Sequence, residues 1–433
     1  MPKPKSAHLL SDPIFSEPVL SGGRLMPDPT YFVVNHPSDA PLYAELDKLH
    51  LIQARPFPPS RLPDADVFPL VQALGSLGPQ KLRQITRTGR IVFHAVGDTG
   101  ATQSVASQNL VTDALVAEGR APAVADRPAF LFHLGDIVYS FAESQYYYDQ
   151  FYEPYRNYPA PIFAIPGNHD GMLPPNPAPG VTSLETFLRN FCAPQFGVSP
   201  DAVSLHRTSM TQPGVYFALD APFVRIIGLY SNALEDPGLI SSENRHYSAV
   251  PDHQLAFLQA QLNRVKQESF AGCLLLAVHH PPFSWSPPSA HPGVHGCSPN
   301  MLRQIDAICD AAGVYPHAVL SGHAHNYQRF TRRRTVGGKP CVTPFIVCGS
   351  GGHAVNALVP KGAARPVLPV PADHLESGLV LAGLDDQHFG FLRVVVDGRS
   401  LRIAFHKTQS IPPAPVEGDA VTVDLASHTI TAG

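Results

Sequence analysis

The sequence predicts an α/β fold, because short apolar runs that look like buried strands alternate along the chain with stretches typical of helices. The chain has 433 residues, of which 44% are hydrophobic, so it can bury a sizeable core. Five of the apolar runs also end in short polar blocks containing Gly, Asp, Asn or His. These observations favour an α/β protein whose strand ends carry its function.

The first part of the chain is rich in proline, notably at 54–63. It contains short helical patterns only at 42–51 and 68–77. We therefore predict that residues 1–88 form an arm packed on the core and that residues 89–433 form the main domain.

From residue 91 onwards, strands and helices alternate. Predicted buried strands lie at 91–96, 129–134, 161–165, 273–278, 318–320 and 345–348, and predicted helices at 103–118, 143–155, 183–191, 252–266 and 299–309. Two hairpins are predicted, one from 214 to 230 and one from 391 to 405 with Asp397-Gly398 at its turn. Strands that alternate with helices in this way are typical of an α/β domain.

The polar blocks follow the predicted strands directly. They are Gly97-Asp-Thr-Gly100, Gly135-Asp-Ile-Val-Tyr139, Gly167-Asn-His-Asp170, Val278-His-His-Pro281 and Gly322-His-Ala-His325. The carboxyl ends of strands form the ligand-binding crevice in open α/β sheets, so these blocks should converge in space. Carboxylate, amide, imidazole and phenol groups are metal ligands, which makes a metal site the expected result.

The order and content of these blocks resemble those of the calcineurin-like metallophosphoesterases, and more narrowly those of the purple acid phosphatases. In that family the pattern is GDxG, GDxxY, GNH(D/E), xxxH and GHxH, and all five blocks are intact between residues 91 and 350. The resemblance implies a metallophosphoesterase-type four-layer α/β/β/α sandwich of two mixed sheets. It also implies that residues 89–433 are the catalytic domain, including the C-terminal hairpin strands.

The same resemblance implies a dinuclear metal centre. Most metallophosphoesterases have Asp-x-His in the first block, whereas this chain has Gly100 there and Tyr139 in the second block. A phenolate donor favours Fe(III). The resemblance implies Fe(III) at the Asp98/Tyr139/His325 site and Fe(II), Zn or Mn at the Asn168/His279/His323 site, with Asp136 bridging the two.

The implied activity is the hydrolysis of phosphate monoesters by a metal-bound hydroxide, as in an acid phosphatase. His169 and His295 match positions that bind phosphate and protonate the leaving group. His295 follows His279 by sixteen residues (295 − 279), which is a long spacing, and His291 is an alternative for the same role.

Other interpretations remain open from the sequence. One is a nucleotide phosphodiesterase or pyrophosphohydrolase that uses Mn or Zn, and another is a non-catalytic binding protein with a metal site. The segment Gly349-Ser-Gly-Gly-His353 could bind phosphate through its amides or form a tight turn after a strand. The basic run Arg329–Arg334 is interpreted as a solvated hairpin rather than a nucleic-acid patch.

Charge and the N-terminus bear on partners and location. The net charge of −4 and the isoelectric point near 6.6 give no electrostatic reason to expect nucleic acid or an anionic membrane as the main partner. A small phosphorylated substrate or phosphate is expected instead, and oligomeric state is not indicated. The first residues lack an apolar signal-peptide core, so we expect a cytoplasmic protein, with an exported location left open.

Overall fold

The computed structural model describes residues 10–17, 45, 52–60, 66–102, 105–174, 177, 179–285, 295–359, 361–408 and 415–431. Within them, strands form two mixed sheets. The strands are β1 Val67–Pro69, β2 Arg90–Val96, β3 Leu131–His133, β4 Ile162–Ala164, β5 Phe217–Ala221, β6 Val224–Leu229, β7 Cys273–Val278, β8 Ala318–Ser321, β9 Tyr327–Val336, β10 Lys339–Cys348, β11 Val370–Pro371, β12 Val380–Asp385, β13 Gly390–Asp397, β14 Ser400–Lys407, β15 Val416–Asp424 and β16 Thr429–Thr431.

The longer helices lie between these strands. They are α1 Gly78–Thr88, α2 Val105–Gly119, α3 Glu185–Phe191, α4 His253–Gln267 and α5 Pro299–Ala312. Shorter helical turns span Leu70–Ala73, Gly75–Leu77, Val124–Asp126, Ser144–Tyr146, Tyr148–Tyr152, Glu153–Tyr155, Asn168–Gly171 and Pro200–Ala202. Of the helices described, none is both long and apolar enough to cross a membrane.

Each sheet combines parallel and antiparallel pairs. The nine-stranded sheet has the order β1-β5-β6-β7-β8-β10-β9-β12-β11, and the seven-stranded sheet has the order β16-β15-β14-β13-β2-β3-β4. The strands that precede the polar blocks are parallel to one another within each sheet: β2, β3 and β4 in one sheet and β7 and β8 in the other. Their carboxyl ends therefore lie at the same edge of their sheets.

The core lies between the two sheets and is rich in aromatic rings. Phe163 of β4 packs edge-on against Phe68 of β1, with ring centroids 5.8 Å apart. At the other end of the interface, the rings of Tyr327 in β9 and Phe405 in β14 stack at 4.3 Å. Rings of this size bury large apolar areas, so these contacts hold one sheet against the other.

Helices cover the outer faces. On the seven-stranded sheet, Glu118 of α2 accepts a hydrogen bond at 3.0 Å from the buried His94 of β2. On the nine-stranded sheet, the Asp220 carboxylate of β5 accepts hydrogen bonds from Arg225 of β6 at 2.9 Å and from Arg264 of α4 at 2.7 Å. Two sheets covered by helices confirm the predicted α/β sandwich.

The predicted hairpins are present as β5–β6 and β13–β14. The helix expected over 143–155 is present as a helical segment from Ser144 to Tyr155, but it is irregular, with 3-10 geometry at its start and π-helical geometry at Tyr148–Tyr152. Pro154 has no amide proton to donate, and bulky rings such as Tyr147 and Tyr152 are buried in the core. The divergence affects only local regularity.

The N-terminal region is partly outside the described residues. Strand β1, at 67–69, pairs in parallel with β5 and so extends the nine-stranded sheet. The helical pattern at 42–51 falls almost entirely on residues that the structure does not describe. The division into an arm at 1–88 and a catalytic domain at 89–433 therefore stays a prediction.

Candidate metal centre

The five polar blocks meet at one place, where the carboxyl ends of strands from both sheets face each other. Three blocks follow β2, β3 and β4 of the seven-stranded sheet, and two follow β7 and β8 of the nine-stranded sheet. Hydrogen bonds join the two sides: the His323 backbone amide donates to Asp98 Oδ2 at 2.8 Å, and the Gly97 amide donates to the Cys348 carbonyl at 3.0 Å.

One group of donor atoms surrounds the Tyr139 hydroxyl. This oxygen lies 3.2 Å from Asp98 Oδ1, 3.0 Å from Asp136 Oδ2 and 3.3 Å from His325 Nε2. A phenol has a single proton to donate, so it cannot satisfy three acceptors at once. The group has more lone pairs than protons, which is what a cation site requires.

A second group surrounds the Asn168 side-chain oxygen. This oxygen lies 2.9 Å from His279 Nε2 and 3.1 Å from His323 Nδ1. Asp136 Oδ2, already in the first group, is 3.4 Å from His279 Nε2. The Asp136 carboxylate therefore touches both groups and is the only one of these side chains placed between them.

The orientation of the second group follows from its outer partners. His279 Nδ1 donates to the Leu134 carbonyl at 2.8 Å, so in a neutral ring Nε2 carries a lone pair. Asn168 Nδ2 donates to Glu235 Oε2 at 3.1 Å, so its oxygen must face His279. Two lone pairs 2.9 Å apart repel unless a proton or a metal ion lies between them. The donor set thus fits a metal ion.

The backbone of three block residues is strained. Asp98, Asp136 and His323 have φ angles of 58°, 54° and 69°, in the left-handed region. Non-glycine residues there cost of the order of 1–3 kcal/mol each and persist where surrounding structure enforces them, often at functional sites. Here the strain turns each side chain inward immediately after its strand ends.

Tyr139 is held by a clamp that sequence reasoning missed. The side-chain amide of Gln150 accepts from the Tyr139 amide at 2.8 Å and donates to its carbonyl at 3.2 Å. Gly100 makes room for this arrangement, because a Cβ there would lie 2.4 Å from Gln150 Oε1 and 3.1 Å from Tyr139 Cδ2. The glycine at position 100 and the tyrosine at position 139 are therefore in spatial contact, so the two departures from the common metallophosphoesterase pattern depend on each other.

Two buried carboxylates give the site negative charge that bound cations would neutralise. Asp98 and Asp136 are buried, and among the described residues neither forms an ion pair with an arginine or a lysine. Burial raises the pKa of Asp98, whereas at Asp136 the imidazoles of His279 and His169 overcome burial and lower the pKa. Two adjacent buried carboxylates without an arginine or lysine partner are costly, and bound metal ions would offset that cost.

The pKa values of the remaining ionisable groups are also set by burial and by neighbouring charges. Burial and the two carboxylates raise the pKa of the Tyr139 phenol well above its ordinary value. Burial alone would lower the pKa of His279, but Asp136 raises it to about 9, which supplies the proton that a metal ion would replace. Burial and neighbouring imidazoles hold the pKa values of His323 and His325 well below the ordinary value.

The two histidines predicted to act on the substrate flank the donor groups. His169 Nδ1 donates to the Ser140 carbonyl at 2.9 Å, and its ring lies 4.3 Å from the Tyr139 ring. The His295 ring is 4.7 Å from the rings of both His323 and His325. His291, the alternative to His295, lies outside the described residues.

Neighbours explain which other histidines are unsuited to metal binding. His280 Nδ1 lies 2.6 Å from Ser231 Oγ, and Nε2 donates to the Leu234 carbonyl at 2.7 Å, so both nitrogens are engaged. His133 Nε2 lies 2.9 Å from Thr99 Oγ1, and its Nδ1 accepts from the Gly135 amide at 3.2 Å. Neither ring presents a free nitrogen to the donor groups.

Glu235 is a site residue that sequence reasoning did not identify. Besides accepting from Asn168, its carboxylate lies 3.1 Å from His295 Nδ1. Against burial, which would lower it, Glu235 raises the pKa of His295. Glu235, His295 and His323 also form a compact cluster of possible ligand atoms, as do Asp136, His279 and His323. No local pattern marks Glu235, because it lies in a loop remote in sequence from its partners.

Comparison with known families settles the membership of the chain. The sequence profile of the calcineurin-like phosphoesterases matches residues 91–327, which include all five polar blocks. The chain belongs to this family. It is therefore a metal-dependent phosphoesterase by family, and a dinuclear metal centre is implied at the place where the two donor groups meet.

Solved structures related to this phosphoesterase are distant in sequence. PhoD is 14% identical, with 79% of this chain and 71% of that chain covered and a TM-score of 0.49. GAP50 of Plasmodium, described as the anchor in the inner membrane complex, is 12% identical, with 73% and 84% covered and a TM-score of 0.47. No curated protein matches the sequence significantly.

Proposed function

We propose that this phosphoesterase hydrolyses phosphate monoesters at a dinuclear centre of the purple acid phosphatase type. The observation that carries the proposal is the position of Asp136, whose Oδ2 contacts both the Tyr139 hydroxyl at 3.0 Å and His279 Nε2 at 3.4 Å. A carboxylate shared by two donor groups is suited to bridging two metal ions. Two-metal hydrolases hold their ions roughly 3.5–4 Å apart.

The donor groups differ in chemistry, which supports different metals in the two positions. Asp98, Tyr139 and His325 would hold Fe(III), because a phenolate and a carboxylate are hard, charged donors. Asn168, His279 and His323 are neutral donors and would hold Fe(II), Zn or Mn. The two bound ions would supply Lewis-acid stabilisation of the phosphoryl oxygens and lower the pKa of water.

The residues around the donor groups would bind and protonate the substrate. His169 packs against Tyr139 and His295 packs against His323 and His325, so both imidazoles lie beside the donor atoms and could donate hydrogen bonds to a bound phosphoryl group. Glu235 beside His295 favours the protonated imidazole, which can then donate a proton to the leaving oxygen. This arrangement supports acid-assisted departure of an alcohol.

Purified protein loaded with metals tests the proposal. Elemental analysis should find iron and one divalent metal, and the visible spectrum should contain a phenolate-to-iron band that Tyr139→Phe removes while iron is retained. Turnover should be faster with p-nitrophenyl phosphate than with bis(p-nitrophenyl) phosphate or a nucleoside pyrophosphate. The Gly398→Ala variant, in a hairpin turn where a Cβ meets no atom within 4 Å, serves as a control.

Each contrary result has a separate meaning. A colourless, iron-free protein would refute the ferric assignment. Preference for the diester or the pyrophosphate would favour the nucleotide phosphodiesterase or pyrophosphohydrolase interpretation with Mn or Zn. Failure of the metal-loaded protein to hydrolyse any of these esters would favour the non-catalytic binding protein.

A further inference from the structure

The loop Gly349–His353 follows β10 and packs directly against the first polar block. A Cβ on Gly351 would lie 2.2 Å from the Gly97 carbonyl oxygen, and one on Gly349 would lie 2.8 Å from Asp98 Oδ2. Because glycine has no Cβ, the loop can pack closely against Gly97 and Asp98. These contacts favour a tight turn over the alternative of a phosphate-binding loop.

This loop delivers His353 to Tyr139. The two rings are stacked, with centroids 3.6 Å apart and an angle of 9° between their planes. The His353 ring is itself fixed, because Nδ1 donates a hydrogen bond to the Gly100 carbonyl at 2.8 Å. A ring held at both its edge and its face is a rigid wall beside the phenol.

His353 also reaches the other two residues of the first donor group. Its backbone amide donates to the Asp98 carbonyl at 3.0 Å, and its ring lies edge-on to the His325 ring at 5.1 Å. A single residue outside the five blocks thus contacts Asp98, Tyr139 and His325 together. No comparable contact joins it to Asn168 or His279 among the described residues.

The stacking of His353 on Tyr139 restricts the position of the Tyr139 hydroxyl oxygen. The hydroxyl is at the far end of the ring from the backbone, so a small tilt of the ring moves it away from Asp98, Asp136 and His325. His353 covers one face at 3.6 Å, and His169 lies 4.3 Å from the Tyr139 centroid at an angle of 43°. The parallel ring of His353 is therefore the closer barrier to tilting.

We propose that His353 is a positioning residue that holds the Tyr139 ring so that its oxygen points into the first metal site. The inference rests on the proposed role of Tyr139 as a ligand. Because His353 contacts only the first donor group, its loss should weaken binding of the first metal and leave the second unchanged. The stacked ring lies directly against the phenol ring, so its loss should alter the phenolate-to-metal absorption band.

The experiment compares His353→Ala with His353→Phe in the full chain. Phenylalanine keeps a flat ring but lacks the hydrogen bond to Gly100, whereas alanine removes both. First-site affinity should fall about 10- to 100-fold in His353→Ala, as expected for the loss of one stacking contact and one hydrogen bond. The absorption band should shift and weaken in His353→Ala and be largely restored in His353→Phe.

Metal titrations of stripped protein give these affinities without using activity. If the protein takes a metal other than iron, the ultraviolet difference spectrum of phenol ionisation reports the same site. The control is His428→Ala, which removes an imidazole stacked on His317 at 4.6 Å, away from the site. Circular dichroism spectra and melting curves check that every variant is folded.

The outcomes separate this inference from the proposed function. Native affinity and an unchanged band in a folded His353→Ala variant would overturn the inference, as would equal losses in the alanine and phenylalanine variants. If Tyr139→Phe leaves affinity and spectrum unchanged, the ligand role of Tyr139 fails, and the inference fails with it. Loss confined to the first metal in His353→Ala, with rescue by phenylalanine, would support it.

Discussion

Substituting Gly100 with alanine should disrupt the proposed first metal site without replacing any of its proposed ligands. The new Cβ would lie 2.4 Å from Gln150 Oε1, 2.7 Å from the Ile137 carbonyl oxygen and 3.1 Å from Tyr139 Cδ2. The first of these distances is far below contact distance, so the Gln150 side chain must move. Moving it breaks the clamp on the Tyr139 backbone.

The size of the effect follows from the bonds that are lost. Gln150 makes two hydrogen bonds to Tyr139, at 2.8 and 3.2 Å, and both are buried. Each contributes about 1 kcal/mol, and a buried group left without a partner costs about 1–3 kcal/mol. A total of about 2–4 kcal/mol on the conformation that binds metal corresponds to an affinity about 30- to 1,000-fold lower.

Equilibrium titration of stripped protein with the first metal, followed by the Tyr139 absorption band, measures this loss. Gly398→Ala is the matched control, because it adds the same methyl group at a turn where a Cβ meets no atom within 4 Å. Second-site affinity should stay within a few-fold of the native value. A Gly100→Ala protein that binds both metals with native affinity and a native spectrum would show that the clamp does not position Tyr139.

Three further predictions concern other parts of the molecule. His325→Ala should release the first metal and His323→Ala the second, as measured by the metal content of each variant; loss of the same metal from both would contradict the assignment. Glu235→Gln should lower second-site affinity, because the carboxylate that orients Asn168 is lost, and should slow alkyl phosphates more than p-nitrophenyl phosphate, which has a good leaving group. An equal slowing of both esters would argue against a link to leaving-group protonation. Asp220→Asn should lower the free energy of unfolding by about 1–2 kcal/mol at neutral pH. Burial alone would raise the pKa of Asp220, but hydrogen bonds from its two arginine partners lower it below the ordinary 3.8. A lowered pKa gives stability that is present above that value and is lost at lower pH, so urea titrations should show the difference shrinking towards pH 2.

Sequence reasoning predicted the place where the five polar blocks meet, because the signals of each block are local. A buried strand shows as an apolar run, and the polar block that follows it is continuous in sequence, as at Val96 to Asp98. Parallel pairing of such strands then brings their ends together, as β2 and β3 do through the His94–Leu131 register. The approximate position of each block therefore followed from pattern alone.

The supporting residues could not be predicted because their contacts are long-range. Glu235 meets Asn168 across 67 positions in the chain, and His353 meets Gly100 across 253. No periodicity marks such residues, since their position depends on how loops from two sheets pack together. Gln150 was hidden for a related reason: its segment was expected to be one regular helix, in which the side-chain direction would be different.

The basic run Arg329–Arg334 shows how an exposed-looking sequence can be internal. It lies in β9, which forms an antiparallel hairpin with β10, so the predicted hairpin is present. The run is not fully solvated as predicted, because β9 also pairs with β12 on its other side. Arg332 is buried and donates to Asp306 at 2.8 Å and Glu376 at 2.6 Å. These two acidic residues come from segments that are remote in sequence. The sequence therefore showed that the run is basic, but it did not show which carboxylates pair with its arginines.

The candidate metal centre lies between the two sheets, so each donor group combines residues from both of them. Asp98 and Tyr139 come from loops of the seven-stranded sheet, while His323 and His325 follow β8 of the nine-stranded sheet. Each sheet alone would present only part of either donor group, so the site exists only when the sheets are packed. The strained backbones at Asp98, Asp136 and His323 all lie along this junction. Bound metal ions would therefore link the two sheets as well as bind substrate. The free energy of metal binding would then offset the cost of the strained backbones.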